Sequence, residues 1–264
     1  MDLSEDRSEA QARSDRPAAP ATVNSGLTVT VLGCSGSYPG PGGAGSGYLL
    51  DDGTTKVCVD AGPGTLANLQ RHIGFEDLDA IVLSHEHPDH WSDLEGWQVV
   101  WRYRLKRRDF PVFAPAGLRA RTYDPESPAF TWHTVAGGDT VGVGTMQFTF
   151  SRTDHGPVTL AMRVDAGGRS LGYSADTGPA WSMEALGPGL DLVLCEATVP
   201  IEEEDTMQHL SARQAGATAK AAGARRLVLT HLWPSLDPGK AQSLGSEGFG
   251  APVEVATVGA RYHV

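Results

Sequence analysis

The segment Ser84-His85-Glu86-His87-Pro88-Asp89-His90 sets three imidazoles and an aspartate within six positions. It follows Ala80-Ile81-Val82-Leu83, a short apolar run of the kind that forms a buried strand. The cluster is therefore expected on a loop at the C-terminal end of a strand. His85 and His87, two apart on extended backbone, project to one side. Pro88 forces a turn, so that Asp89 and His90 face the shared cavity from the other side. A helix is expected from Trp91 to hold the loop. Imidazole and carboxylate together suit zinc and other borderline divalent ions.

One short loop cannot complete two ion shells, because a catalytic zinc takes about three protein ligands and keeps a place for water. Further ligands must come from elsewhere, and three candidates stand where apolar runs end. His155 follows a run that finishes Ser151-Arg152-Thr153-Asp154. Asp176 follows Leu171-Gly172-Tyr173-Ser174-Ala175, and His231 follows Leu227-Val228-Leu229-Thr230.

Around these points the chain alternates short strand-like runs with helical stretches. Strands are expected at residues 27–32, 48–50, 56–59, 80–83 and 111–113. The second half repeats the rhythm at 146–150, 160–164, 170–173, 191–194 and 226–229. Helical spacing of Leu66, Leu69 and Ile73 suggests a helix from Gly64. An Ala-rich helix is expected over 211–222, stopped by Gly223. The pattern points to an α/β domain of two packed sheets with helices outside, running as one unit from 26 to 264. Residues 1–25 are polar and read as a disordered tail.

Composition narrows the functional classes. A formal net charge of -11 works against broad binding to nucleic acid, which needs clustered Lys and Arg. Metals in the site would nevertheless let an acidic protein take a small anionic substrate. Cys34, Cys58 and Cys195 are odd in number and widely spaced, so neither a disulfide framework nor a zinc knuckle is expected. No basic segment leading into an apolar one opens the chain, and no run reaches the roughly 20 apolar residues of a membrane span. A cytoplasmic protein is the expectation.

With these residues in place, the chain resembles the metallo-β-lactamase superfamily, in particular its ribonuclease Z-like branch. The marks are Leu32-Gly33-Cys34-Ser35 before a glycine-rich loop and Asp60-Ala61-Gly62-Pro63-Gly64-Thr65. The His85-to-His90 cluster, Ser174-Ala175-Asp176-Thr177-Gly178, His209-Leu210-Ser211-Ala212 and Thr230-His231 complete them. The resemblance implies a single-domain, four-layer αββα sandwich. It implies two divalent ions, zinc first with manganese or iron as alternatives. One would be held by His85, His87 and His155, the other by Asp89, His90 and His231, with Asp176 bridging. A His at position 87 is unlike the redox diiron relatives, and an Asp at 176 is unlike the lactamases with Cys in that role.

Two such ions, about 3.5–4 Å apart, make hydroxide available near neutral pH. Asp89 would orient it. The resemblance brings His209 to the site without making it a ligand, where it would protonate a leaving oxygen or bind phosphate. Only 20 residues separate His155 from Asp176 and read as a hairpin around Ala166-Gly167-Gly168, so the tRNA-gripping arm of long-arm ribonuclease Z enzymes is missing. The preferred substrate is a small phosphodiester such as a cyclic nucleotide, with Trp233 available to stack on a base. The alternatives are a ribonuclease Z-like RNA 3′-endonuclease and a hydrolase of lactones, thioesters or β-lactams. The cluster Arg102, Arg104, Lys106, Arg107 and Arg108 reads as a solvated helix end or a nucleic-acid contact. Trp97 and Trp101, four apart, read as core. A homodimer is a further state that relatives suggest.

Overall fold

Alternation of side-chain direction along apolar strands builds two sheets in the computed structural model, which describes residues 26–264. The first sheet holds β1 (Thr28–Gly33), β2 (Gly47–Asp51), β3 (Lys56–Val59), β4 (Ala80–Val82), β5 (Phe110–Ala114), β6 (Phe130–Thr134) and, at its other edge, a late strand (Arg261–His263). The second holds β7 (Thr140–Val143), β8 (Met146–Arg152), β9 (Leu160–Ala166), β10 (Arg169–Tyr173), β11 (Leu192–Glu196), β12 (Leu227–Thr230) and β13 (Glu254–Val255). With Arg261–His263 as β14, the orders are β14-β1-β2-β3-β4-β5-β6 and β13-β12-β11-β10-β9-β8-β7. The expected tail, residues 1–25, lies outside the described residues.

Both faces of the central strands are covered, which is why they read as continuous apolar runs. Val57 and Val59 face the core between the sheets, while Cys58 faces outward to the helices. Leu192 and Leu194 likewise point inward, and Val193 and Cys195 pack under the opposite helical layer. The outer layers are α1 (Thr65–Leu69), α2 (Pro88–Trp91) and α3 (Leu94–Val99) on the first sheet, and α4 (Ala212–Ala221) and α5 (Pro238–Phe249) on the second. The result is the four-layer αββα sandwich. Trp97 and Trp101 are buried in the outer cluster of the first sheet, as their spacing suggested.

Besides four strands the sequence did not announce, β6, β7, β13 and β14, three elements differ from the expectation. α1 stops at Leu69 because its continuation tightens into i→i−3 bonds, Arg71 N to Asn68 O and His72 N to Leu69 O. Pro88 opens one helical turn, α2, at the position where its missing N–H costs nothing, so Asp89 and His90 are helical. The third difference is α5, whose face of small residues gave no periodic apolar signal. A Cβ on Gly216 would lie 2.4 Å from Gly245 O, so α4 and α5 touch backbone to backbone. Asp237 caps α5 by accepting from Lys240 N, and Gly250 ends it in the left-handed conformation.

Candidate metal centre

The candidate ligands lie in segments that follow strand ends, Asp89 and His90 on the helical turn α2, on one rim of the sandwich. β4 leads into Ser84 and the loop through His85 and His87 to α2. From the second sheet, β8 leads to His155, β10 to Asp176 and β12 to His231. The chain turns sharply there. Asp60, Ala175 and His231 all have positive φ, between 49° and 57°, a left-handed conformation uncommon for residues with a Cβ. Gly36 makes room for this turn, since a Cβ on it would stand 2.3 Å from His231 O.

All seven residues singled out in the sequence converge. His85, His87, His155 and Asp176 form one group of potential ligand atoms lying within 4.8 Å of one another, and Asp89, His90 and His231 form a second. His87 Nδ1 is 3.1 Å from His155 Nε2, and Asp176 Oδ2 is 3.5 Å from His85 Nε2. In the other group, His90 Nε2 and His231 Nε2 are 3.1 Å apart, with Asp89 Oδ2 3.1 Å from His231 Nε2. Asp176 Oδ1 reaches this group, 3.2 Å from His90 Nε2 and 3.4 Å from His231 Nε2. The two oxygens of one carboxylate therefore face different groups.

Partners behind the imidazoles determine which nitrogen faces inward. Asp60 can only accept, so His90 donates through Nδ1 at 2.8 Å. His155 Nδ1 donates to Gln208 O at 2.9 Å. Thr198 gives its proton to Glu196 Oε2 and accepts from His231 Nδ1 at 2.8 Å. Ser84 gives its proton to Asp60 Oδ2 and accepts from His85 Nδ1 at 3.0 Å. Four Nε2 lone pairs are thereby aimed at one space. Lone pairs facing each other at 3.1 Å repel unless a proton or a metal ion sits between them. His85 Nε2 and Asp176 Oδ1 are buried with no hydrogen-bond partner. Orphaned buried groups of this kind are rare in folded proteins, and a divalent ion satisfies them. The donor set fits divalent metal.

The electrostatics agree. Burial pushes His90 down, but Asp176, Asp89 and Asp60 outweigh it and hold the imidazole well above its ordinary range. Burial works against the Asp176 carboxylate, yet His231, His90 and His85 keep it well below the usual range. Burial, reinforced by His90, pushes His85 well down, so its lone pair stays free. The pocket thus favours positive charge at its centre.

His209 stands beside the ligands, its ring centroid 5.0 Å from that of His155 and 5.8 Å from that of His231. Its Nδ1 donates to Glu196 Oε1 at 3.0 Å. Burial lowers its proton affinity, but Glu196 overrides this and raises the pKa to about 9. Glu196 is buried and also accepts from Thr177 N, Thr198 Oγ1 and Leu210 N. Sequence reasoning missed Glu196, although an acid ending the apolar run Leu192-Val193-Leu194-Cys195 was the signal that had picked out the other site residues. Thr198 and the Gln208 carbonyl carried no such signal.

Two further sequence candidates lie at or beyond the rim. Trp233 is half-buried and donates its indole N–H to Ser37 Oγ at 3.0 Å, which ties it to the Ser35–Leu232 bridge. Arg102, Arg104, Lys106, Arg107 and Arg108 are exposed at the end of a π-helical turn, Val100–Arg104, beyond α3. Arg102 pairs with Asp124 at 3.3 Å, and the Arg107 guanidinium lies over the Trp101 ring at 5.8 Å. Cys34, Cys58 and Cys195 are free thiols. Among the described residues no helix is long and apolar enough to cross a membrane.

Comparison with known proteins places this geometry. The family described as "Beta-lactamase superfamily domain" matches residues 55–232. Rv1339 of Mycobacterium tuberculosis (strain H37Rv) is 36% identical, covering 79% of this chain and 81% of its own. Probable metallo-hydrolase YhfI of Bacillus subtilis (strain 168) is 31% identical over 78% of this chain and 87% of its own. Ribonuclease Z of Mycobacterium bovis (strain BCG / Pasteur 1173P2) is 27% identical over 87% and 95%. Among solved structures, that of YhfI from Bacillus subtilis superposes with a TM-score of 0.82 at 27% identity, covering 90% of this chain and 99% of the other. The short form of human tRNase Z shares the fold, with a TM-score of 0.72 at 21% identity over 89% and 98%.

Proposed function

The chain belongs to the beta-lactamase superfamily and is a metallo-hydrolase of the metallo-β-lactamase fold, and on that premise we propose that it is a dinuclear phosphodiesterase acting on a small phosphodiester such as a cyclic nucleotide. One ion would be held by His85, His87 and His155, and the second by Asp89, His90 and His231, with Asp176 between them. Zinc suits these donors, and manganese and iron accept them as well. When bound, the ions supply Lewis acidity, a water of lowered pKa and positive charge facing the substrate's anionic oxygens.

The chain's own groups do the rest. Asp89 Oδ2 accepts a hydrogen bond from the attacking water and aims it at phosphorus. His209, charged through Nδ1–H to Glu196, donates the proton on Nε2 to the departing oxygen. The observation that carries the reading is this His209–Glu196 pair, because an alkoxide is a poor leaving group and needs a proton as the bond breaks. Opening a lactone or thioester depends on it less.

The tight β9–β10 hairpin supports a small substrate, since the whole stretch between His155 and Asp176 is spent on strands and their short connections. A second reading, an RNA 3′-endonuclease, is favoured by the exposed arginines 102, 104, 107 and 108 and by the likeness to ribonuclease Z.

The test is turnover by metal-replete wild type and His209→Ala on a cyclic nucleotide, bis-p-nitrophenyl phosphate, a precursor tRNA and a lactone. The expected result is cyclic-nucleotide hydrolysis that falls about 10²–10⁴-fold in the variant, with a much smaller loss on the nitrophenyl ester. Cleavage of the precursor tRNA alone would favour the second reading, and lactone opening alone would sink both.

A further inference from the structure

Each group of ligands draws on both sheets, so its geometry depends on how the sheets are held across the core. Two tyrosines span it. Tyr48 on β2 donates to or accepts from Thr230 Oγ1 on β12 at 2.6 Å, and Tyr173 at the end of β10 donates to Asp60 Oδ2 at 2.7 Å. Their ring centroids are 5.2 Å apart and both side chains are buried. Tyr48 thus reaches from the first sheet to the second, and Tyr173 reaches back.

The two contacts are chemically unequal. Tyr48 meets a neutral hydroxyl. Tyr173 meets the carboxylate that receives His90 Nδ1–H on the same oxygen, Oδ2, which also takes the Ser84 hydroxyl. Asp60 is fully buried, and its other oxygen is occupied by Ser84 N at 2.7 Å. Ser84 therefore fixes Asp60 from its own sheet, and Tyr173 is the donor from the opposite one. Tyr173 also stands three residues before Asp176, the carboxylate whose two oxygens face the two ligand groups.

We infer that Tyr173 is a positioning residue for the metal centre: through Asp60 it sets the aim of His90 relative to Asp176, joining the two sheets' shares of the site. This rests on the proposal that His90 and Asp176 are ligands. Without the hydroxyl, Asp60 Oδ2 loses the hydrogen bond that ties it to β10, and the imidazole it orients is free to tilt away from Asp176. Partners behind a ligand affect metal affinity by about 10–100-fold, and Tyr173 acts one contact further out, so about tenfold is expected.

The experiment compares Tyr173→Phe with Tyr48→Phe, a matched control that loses an equally buried hydroxyl but no contact with Asp60. Chelator-stripped proteins are titrated with Zn²⁺ against a chromophoric competitor, Co²⁺ absorption spectra are recorded, and thermal unfolding of the stripped proteins is followed. The expected result is one ion bound about tenfold more weakly in Tyr173→Phe with an altered Co²⁺ spectrum, and wild-type values in Tyr48→Phe. Wild-type affinity and spectrum in Tyr173→Phe would overturn the inference while leaving the ligand assignment standing. Equal weakening in both variants, tracking equal losses of thermal stability, would make the role merely structural and overturn it too. Failure of the wild type to bind would remove the ligand assignment and the inference with it.

Discussion

Gly62→Ala should cost the protein one metal ion. A Cβ at Gly62 would stand 1.9 Å from Asp89 O, where ordinary contact begins at 3.4 Å, a shortfall of about 1.5 Å. The same atom would lie 2.8 Å from Ser46 N, which donates to Asp89 O at 2.9 Å. Neither neighbour is a flexible side chain; both are backbone. Ala61 N is meanwhile bonded to His90 O at 2.7 Å, so α2 cannot slide away without breaking the bonds that hold it. Metal–ligand distances tolerate only about ±0.2 Å, several times less than the displacement required. Asp89 and His90 should leave position together, while His85, His87 and His155 stay. The expected outcome is about one ion per chain after dialysis against excess Zn²⁺, with affinity for the second reduced on the order of hundredfold. Overpacking should cost about 1–3 kcal/mol of stability. Gly142→Ala, on β7 with nothing within 4 Å of its Cβ, is the control and should retain both ions. Two tightly held ions in Gly62→Ala, measured by elemental analysis, would refute the reasoning.

Glu196→Gln removes the charge that raises His209 to about 9. A general acid must be protonated, so activity is lost as pH rises through its pKa; the alkaline limb of the cyclic-nucleotide profile should shift to lower pH, and an unshifted limb would separate Glu196 from proton donation. Removing the ions should lower thermal stability. Each ion present at a thousand times its Kd contributes about 4 kcal/mol, so the two contribute about 8 kcal/mol, or on the order of 20 °C for a domain of this size, and scanning calorimetry with and without chelator reads the difference.

Much of the molecule was legible because burial on both faces leaves a blunt mark. Runs such as Leu192 to Cys195 announce a central strand whatever packs on it, and the polar residues that follow them mark the rim. That logic located His155, Asp176 and His231 on strand ends, far apart in sequence. It also applied to Glu196, which was overlooked because an acid beside a strand is an ordinary sight until His209 is found against it. α5 escaped for a different reason. Its contact with α4 is made by Gly216, Gly245 and Gly248, where the absence of side chains is the packing feature, and such a face has no hydrophobic period to read. The edge strands β6 and β7 are half exposed, with burial patterns too mixed to separate from loops. Tyr48 and Tyr173 fall within the strands expected at 48–50 and 170–173, and a hydroxyl bond across two sheets leaves no local pattern.

The most direct test of the two-ion phosphodiesterase centre is a titration of chelator-stripped protein with Zn²⁺, monitored by hydrolysis of a cyclic nucleotide. Activity should stay low through the first equivalent and reach its plateau at two ions per chain. A plateau at one equivalent, or no hydrolysis at any loading, would contradict it.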